Sequence, residues 1–266
     1  MEIKTILLTG DDGYNSIGTR LLVKALKNDF LLQIAATKYQ QSGVGGGLSL
    51  QKGGNWGETT VDGVPALWVE GSPGDTMECT QALFKKPFDL IISGVNLGCN
   101  ASSAVISSGT FGAAVRGIGV GVAPRGLVMS WDAPVELYHK QNNGVDSLSD
   151  YLEYPGAVLL PLVKAIIAEK LWGVDLLNIN FPRLASKKVR FTKITKDITK
   201  QFSHPIGVDK KTHRFTYDGA IIDILEKNPR YDIAAIDQGF ISITPCAYDM
   251  THFTTFERLE KSELEL

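Results

Sequence analysis

The stretch ILLTGDDG (Ile6-Leu7-Leu8-Thr9-Gly10-Asp11-Asp12-Gly13), continued by YNSIGTRLLVKAL over residues 14–26, decides the fold. Ile6, Leu7 and Leu8 form a short continuous apolar run, as expected of a strand covered on both faces. From residue 17 the period changes, and Ile17, Leu21, Leu22, Ala25 and Leu26 fall on one face of a helix. A strand that hands over to a helix across a glycine-bounded turn opens an α/β unit. Two adjacent carboxylates, Asp11 and Asp12, stand at that handover, where open α/β sheets keep their chemistry. They repel each other, and a cation would resolve the repulsion. Taken alone, Asp-Asp-Gly also reads as a plain turn.

The alternation continues along the chain. Strands are expected over residues 31–36, up to Val69, over 88–96 (FDLIISGVN), 126–131 (GLVMSW) and 175–182 (DLLNINFP). Helices are expected to open near Ser72 and Thr110, with a long one over residues 151–171. In GSPGD, Ser72 suits a helix cap, Pro73 the first helical position, and Asp75 completes an S-x-x-D capping pattern. This spacing implies a three-layer α/β/α architecture with a mainly parallel sheet. After Pro182 the character shifts: residues 183–220 are polar, rich in Thr and Lys, and read as extended hairpins. A strand returns at 240–244, and the tail FERLEKSELEL is charged. The expected division is a core over residues 1–182, an extended hairpin segment over 183–230 serving oligomerisation, and a returning strand with tail over 231–266.

Composition removes several function classes. Of 266 residues, 44% are hydrophobic and 21% charged, as in an ordinary globular chain. The net charge of −2, without a basic block, gives no groove for a nucleic-acid polymer. No apolar stretch approaches the ~20 residues that span a bilayer, and the N-terminus reads as a first strand, not a signal peptide. Three scattered cysteines without C-x-x-C argue against a disulfide framework and a zinc site, and point to the cytoplasm. The four histidines lack metal-ligand spacing. There is no D-x-D at the first strand end for a covalent aspartyl-phosphate, no G-x-S-x-G elbow, and no G-x-G-x-x-G opening a helix.

Four segments collect small and oxygen-bearing residues where buried strands are expected to end: residues 10–13, Ser42-Gly43-Val44-Gly45, Ser93-Gly94-Val95-Asn96 and Ser107-Ser108-Gly109-Thr110. In a parallel sheet such ends share one edge. Two carboxylates, a hydroxyl and an amide oxygen make a hard donor set suited to Mg²⁺ or Mn²⁺. Such an ion keeps several waters, which leaves positions for a phosphate oxygen and a nucleophile. Individually, the Ser42 segment reads as a loop and Ser-Gly-Thr as a helix cap, although exposed amides there also bind anions.

The blocks LLTGDDGYNSIG, QQSGVGGGLSL, GSPGDTMECTQAL, FDLIISGVNLGCNASSAVISSGTFGAAVRG, LLNINFP and QGFISITP, in this order, resemble the SurE family of metal-dependent phosphohydrolases. These are 5′/3′-nucleotidases, also described as acid phosphatases. The resemblance implies a Rossmann-like core and one divalent cation per subunit, held by Asp11, Asp12, Ser42 and Asn96. It assigns Ser108, Gly109 and Thr110 to phosphate. It further implies a nucleoside monophosphate substrate and a homodimer or homotetramer that exchanges a hairpin from the C-terminal third. The chain departs from the family at Gly10, Gly46, Ser107 and residues 100–104, where the family has other polar, aromatic or acidic residues. These changes alter the pocket wall and leave a second reading: a non-catalytic homologue that binds a metal and a phosphorylated ligand.

Overall fold

In the computed structural model, which describes residues 2–138, 140, 142–171, 175–196, 206–217 and 224–260, the opening run is the middle of strand β1 (Thr5–Thr9). Ile6, Leu7 and Leu8 are all fully buried. Successive strand residues point to opposite faces, and Ile6 and Leu8 enter one apolar cluster while Leu7 enters another. Burial of all three therefore requires a layer above and a layer below. Helix α1 (Ile17–Leu26) supplies part of one layer, burying Ile17, Leu21, Leu22 and Leu26. Each such side chain contributes about 1.5–3 kcal/mol when removed from water. Ser16 caps the helix, its Oγ accepting from the Thr19 N–H at 3.2 Å.

The chain continues through β2 (Leu31–Thr37), β3 (Trp56–Val61), β4 (Val64–Val69), α2 (Pro73–Leu83), β5 (Leu90–Leu97), α3 (Gly109–Gly119) and β6 (Gly126–Trp131). Then follow α4 (Ser149–Tyr151), α5 (Ala157–Ala168), β7 (Leu176–Phe181), β8 (Val189–Phe191), β9 (Ile206–Asp209) and β10 (Arg214–Tyr217). Helix α6 (Asp232–Asp237), β11 (Ile241–Cys246) and α7 (Phe253–Leu259) complete the described elements. The main sheet has the order β3-β4-β2-β1-β5-β6-β7-β11-β8. From β4 to β7 every pairing is parallel, whereas β3 and β11 run antiparallel to β4 and β7. The winding reverses between β1 and β5, which opens a crevice at their C-terminal ends.

Several elements differ from the sequence reading. The long helix expected over residues 151–171 is interrupted: within Leu152–Gly156, Tyr154 is extended (φ −152°, ψ 133°). Tyr154 precedes Pro155, and a residue before proline is driven out of the α region. The interval Ser149–Ala168 is also, by length and composition, apolar enough to cross a membrane, which the sequence reading had not allowed for. In the fold, Leu159, Leu162, Val163 and Ile166 of this interval pack in the same cluster as Leu21, Leu22 and Leu26. Strand β3 was not anticipated, because an exposed edge strand (WGETTV) carries no buried period. A hairpin is present within the polar segment, with β9 and β10 paired antiparallel, while β8 joins the main sheet beside β11. The parts of that segment at 197–205 and 218–223 lie outside the described residues, as do His139 and His204. The cysteines are free thiols, and burial raises the pKa of each, that of Cys246 to about 11.

Helix α2 begins as its sequence requires. Ser72 Oγ accepts from the Asp75 N–H at 3.0 Å, and Asp75 Oδ2 accepts from the Ser72 N–H at 2.7 Å. The same two side chains fasten the glycine-rich loop before β3. Asp75 Oδ1 accepts from the Ser49 N–H at 2.9 Å, and Ser72 Oγ lies 2.6 Å from the Gly47 carbonyl oxygen.

Candidate metal and phosphate site

Asp11 and Asp12 follow β1 across Gly10 and are 4% and 6% exposed. Asp12 is held from two sides: Oδ2 accepts from the Leu97 N–H at 3.2 Å and Oδ1 from Gln40 Nε2 at 3.1 Å. Gln40 Nε2 also donates to the Tyr138 carbonyl at 3.0 Å, and Asn142 Nδ2 donates to the Asp12 carbonyl at 3.0 Å. Asp11 turns toward α3, where Thr110 Oγ1 donates to its Oδ1 at 2.5 Å. The approach is possible because residue 109 is glycine; a Cβ there would sit 2.6 Å from Asp11 Oδ2. Gly18 plays a similar part under β5, since its Cβ would lie 1.8 Å from the Val95 carbonyl oxygen.

Burial disfavours the charge on both carboxylates. The Asp11 pKa is raised by desolvation, against the opposing pull of the Thr110 hydroxyl and the Thr110 and Gly109 amides. Asp12 is pushed up to about 7, first by desolvation and then by the neighbouring Asp11 charge. Among the described residues, no cationic side chain contributes to either shift, and no three His, Cys, Asp or Glu side chains are grouped so that they could hold a metal ion between them. Any ion here would therefore complete its shell from hydroxyl, amide and water oxygens, a donor set that fits a hard divalent cation.

Asn96 lies within β5, past a bulge between Ser93 and Asn96, and not in the loop beyond it. Its Oδ1 is 3.1 Å from Thr110 Oγ1, and its Nδ2 donates to the Gly98 carbonyl at 2.8 Å. Asp11, Asn96 and Thr110 thus converge. Ser42 does not join them by hydrogen bonding among the described residues. It is exposed, on a loop fastened on either side by the Gln41 N–H to the Asp11 carbonyl (2.7 Å) and the Gly45 N–H to the Ser107 carbonyl (2.9 Å). The fourth segment ends no strand. A 3₁₀ turn (Ser102–Ser107) precedes it, and Ser108 caps α3 with its Oγ accepting from the Phe111 N–H at 3.0 Å. Ser93 Oγ donates to the Thr110 carbonyl at 2.7 Å, pinning that first turn onto β5.

Sequence reasoning missed a buried amide clamp that fixes the connection between Asn96 and Ser108. The Asn100 N–H donates to Asn180 Oδ1 at 2.9 Å, and its carbonyl accepts from Asn178 Nδ2 (2.8 Å) and Asn180 Nδ2 (3.1 Å). Asn100 Nδ2 reaches Ser130 Oγ at 2.8 Å. From the far side, Asp232 Oδ2 accepts from the Ser102 N–H at 2.7 Å. A signal existed: two asparagines alternating inside the apolar strand LLNINF are out of character unless their side chains find partners, as the Nδ2 groups of both do on the Asn100 carbonyl, although Asn178 Oδ1 is left without one.

The family described as Survival protein SurE matches residues 6–204. The 5′-nucleotidase SurE of Methanococcoides burtonii is 29% identical over 268 residues, covering 97% of this chain and 98% of that protein. That of Methanopyrus kandleri is 32% identical over 257 residues, with 92% of each covered. Among solved structures, the SurE protein from Aquifex aeolicus has a TM-score of 0.74 at 24% identity, covering 96% of this chain and 98% of that one, a likeness of fold. The matched span contains the β1 carboxylates, the Ser42 loop, Asn96 and the α3 start, and with it the chain belongs to the SurE family.

Proposed function

We propose that this protein is a phosphomonoester hydrolase that releases phosphate from nucleoside monophosphates, the activity its relatives' names describe. The observation that carries the reading is the Asp11–Asp12 pair: two buried carboxylates at the end of β1, with no cationic side chain bonded to them among the described residues, and with Asp11 facing the start of α3. Asp11, Asp12, Asn96 and Ser42 would hold one Mg²⁺ or Mn²⁺ per subunit. When bound, such an ion polarises a phosphoryl oxygen and lowers the pKa of a water.

The chain's own residues do the rest. Leu97 and Gln40 fix the orientation of Asp12, and Thr110 that of Asp11. One of these carboxylates orients the attacking water. The N-terminal turn of α3, with Ser108, Gly109 and Thr110, receives the remaining phosphoryl oxygens and stabilises the charge that develops on them. The polar segment 183–230, with its β9–β10 hairpin, is assigned to assembly as a homodimer or homotetramer around the 1–182 core and the 231–266 return. The free, raised-pKa thiols fit a reducing, cytoplasmic setting.

Phosphate release from nucleoside monophosphates, with Mg²⁺, Mn²⁺ or EDTA, tests the reading. Release that depends on the metal supports it. A metal-induced rise in melting temperature without any release would identify the non-catalytic binder instead.

A further inference from the structure

A groove of ≈ 610 Å³ opens over the C-terminal ends of β2 and β4, its lining including Tyr39, Gln41, Val44, Leu48, Glu70 and Ser72. That volume suits a small organic ligand, for which sites run about 300–1,000 Å³. One residue joins the groove to the site: Gln41 lines it, and its N–H donates to the Asp11 carbonyl at 2.7 Å. β4, β2 and β1 are consecutive in the sheet. With neighbouring strands ~4.8 Å apart, the groove lies roughly 5–10 Å from the strand end that bears Asp11.

The walls offer two kinds of chemistry. Tyr39 is 58% exposed and Val44 38% exposed, and with Leu48 they present an apolar, partly aromatic surface at the mouth. Exposed aromatic rings of this kind are platforms on which nucleobases stack. Opposite in character is Glu70, fixed by Lys38 Nζ on Oε1 at 2.5 Å and by Asn55 Nδ2 on Oε2 at 2.8 Å. Each carboxylate oxygen retains a further lone pair for a donor on a ligand. Lys38 in turn lies 4.2 Å from the Trp68 ring centroid and 5.4 Å from that of Tyr39, so one cation organises both walls.

We propose that this groove is the nucleoside subsite: the base stacks on Tyr39 beside Val44 and Leu48, and ribose hydroxyls donate to Glu70, while the phosphate reaches residues 108–110. The inference rests on the phosphatase reading above and adds the residues that select a nucleoside over a simple phosphate ester.

The test compares wild type, Tyr39→Phe and Tyr39→Ala with Mn²⁺, measuring KM for adenosine monophosphate and inhibition by inorganic phosphate. Tyr39→Ala should raise KM about tenfold, the loss of one stacked base, with the phosphate inhibition constant unchanged. Tyr39→Phe, which keeps the ring, should match wild type. An unchanged KM in Tyr39→Ala, a parallel rise in the phosphate constant, or a Phe variant as impaired as Ala would overturn the subsite. Those results leave the phosphatase reading standing. A wild type that hydrolyses no nucleoside monophosphate with either metal would remove that reading, and the subsite with it.

Discussion

The Thr110 hydroxyl donates to Asp11 Oδ1 at 2.5 Å and lies 3.1 Å from Asn96 Oδ1, joining residues 99 and 14 positions away in sequence. A hydroxyl has one proton to give. In this geometry it goes to the buried carboxylate, so Thr110 couples the proposed metal pair to the proposed phosphate cradle. A phosphate oxygen that takes this donor must take it from Asp11.

Thr110→Val keeps the shape and removes that donor. Transition-state stabilisation should fall by about 1.5–3 kcal/mol, the value of a hydrogen bond to a charged group. With Asp11 buried, the EDTA-treated variant should also lose roughly 1–3 kcal/mol of stability. Urea unfolding in EDTA, beside kcat/KM with Mn²⁺, checks both halves.

Asp11→Asn separates function from stability. Asparagine still offers an oxygen to Thr110, so the turn should persist, while the charge is gone. Melting curves with EDTA should be level with wild type or higher, because repulsion with Asp12 disappears. With excess Mn²⁺, wild type should gain stability by linkage and the variant little. Equal metal-induced shifts in the two proteins would exclude Asp11 as a ligand.

The raised Asp12 pKa gives a signed pH dependence. With the folded value at about 7 and the ordinary aspartate value at 3.8, the folded state binds the proton more tightly than the unfolded chain. This contribution is fully present below pH ~4 and is lost as pH rises through about 7. A shift of this size corresponds to on the order of 4 kcal/mol at most. In EDTA, chemical denaturation should therefore show this component of stability declining from pH 4 to 7. In saturating Mg²⁺ or Mn²⁺, which favours the ionised pair, the decline should shrink or reverse.

Asn180→Leu breaks the amide clamp at a fully buried position. It strands the Asn100 N–H, whose acceptor is Asn180 Oδ1, and removes one of two donors to its carbonyl. A cost of about 1–3 kcal/mol is expected. Because the clamp holds the connection from Asn96 to Ser108, kcat should fall further than the folded fraction does. Activity corrected for the folded population by circular dichroism measures the difference.

The β9–β10 hairpin exposes Val208 (68%) and Phe215 (64%), a poor use of large apolar groups for a monomer. Sedimentation at micromolar concentration should show a dimer or tetramer. Replacing residues 206–217 by a short Gly-Ser linker should give a smaller species. A native monomer would remove the assembly role.

Local features were the most legible in the sequence; of the long-range ones, the meeting of Asp11, Asn96 and Thr110 at one sheet edge was legible and the contacts that orient them were not. Ile6, Leu7 and Leu8 announced a doubly covered strand, and Ser72 with Asp75 announced a cap that the structure reproduces as a reciprocal pair of hydrogen bonds. These signals are complete within a few residues. The α5 region went astray because its apolar content outweighed the local warning of Pro155. The partners of Asp12, namely Gln40 and Leu97, are 28 and 85 residues away, and nothing in either segment advertises the contact. The Ser107–Thr110 segment looked like a strand end because a 3₁₀ turn has too few residues to show a period.

Gly109 leaves no room between the first turn of α3 and the Asp11 carboxylate. Every missense change at a glycine codon adds at least a β-carbon, so no single mutational step at this position spares the contact. A substitution at 109 therefore displaces the Asp11 carboxylate whatever the new side chain, whereas the exposed Val44 and Ile106 carry no such constraint.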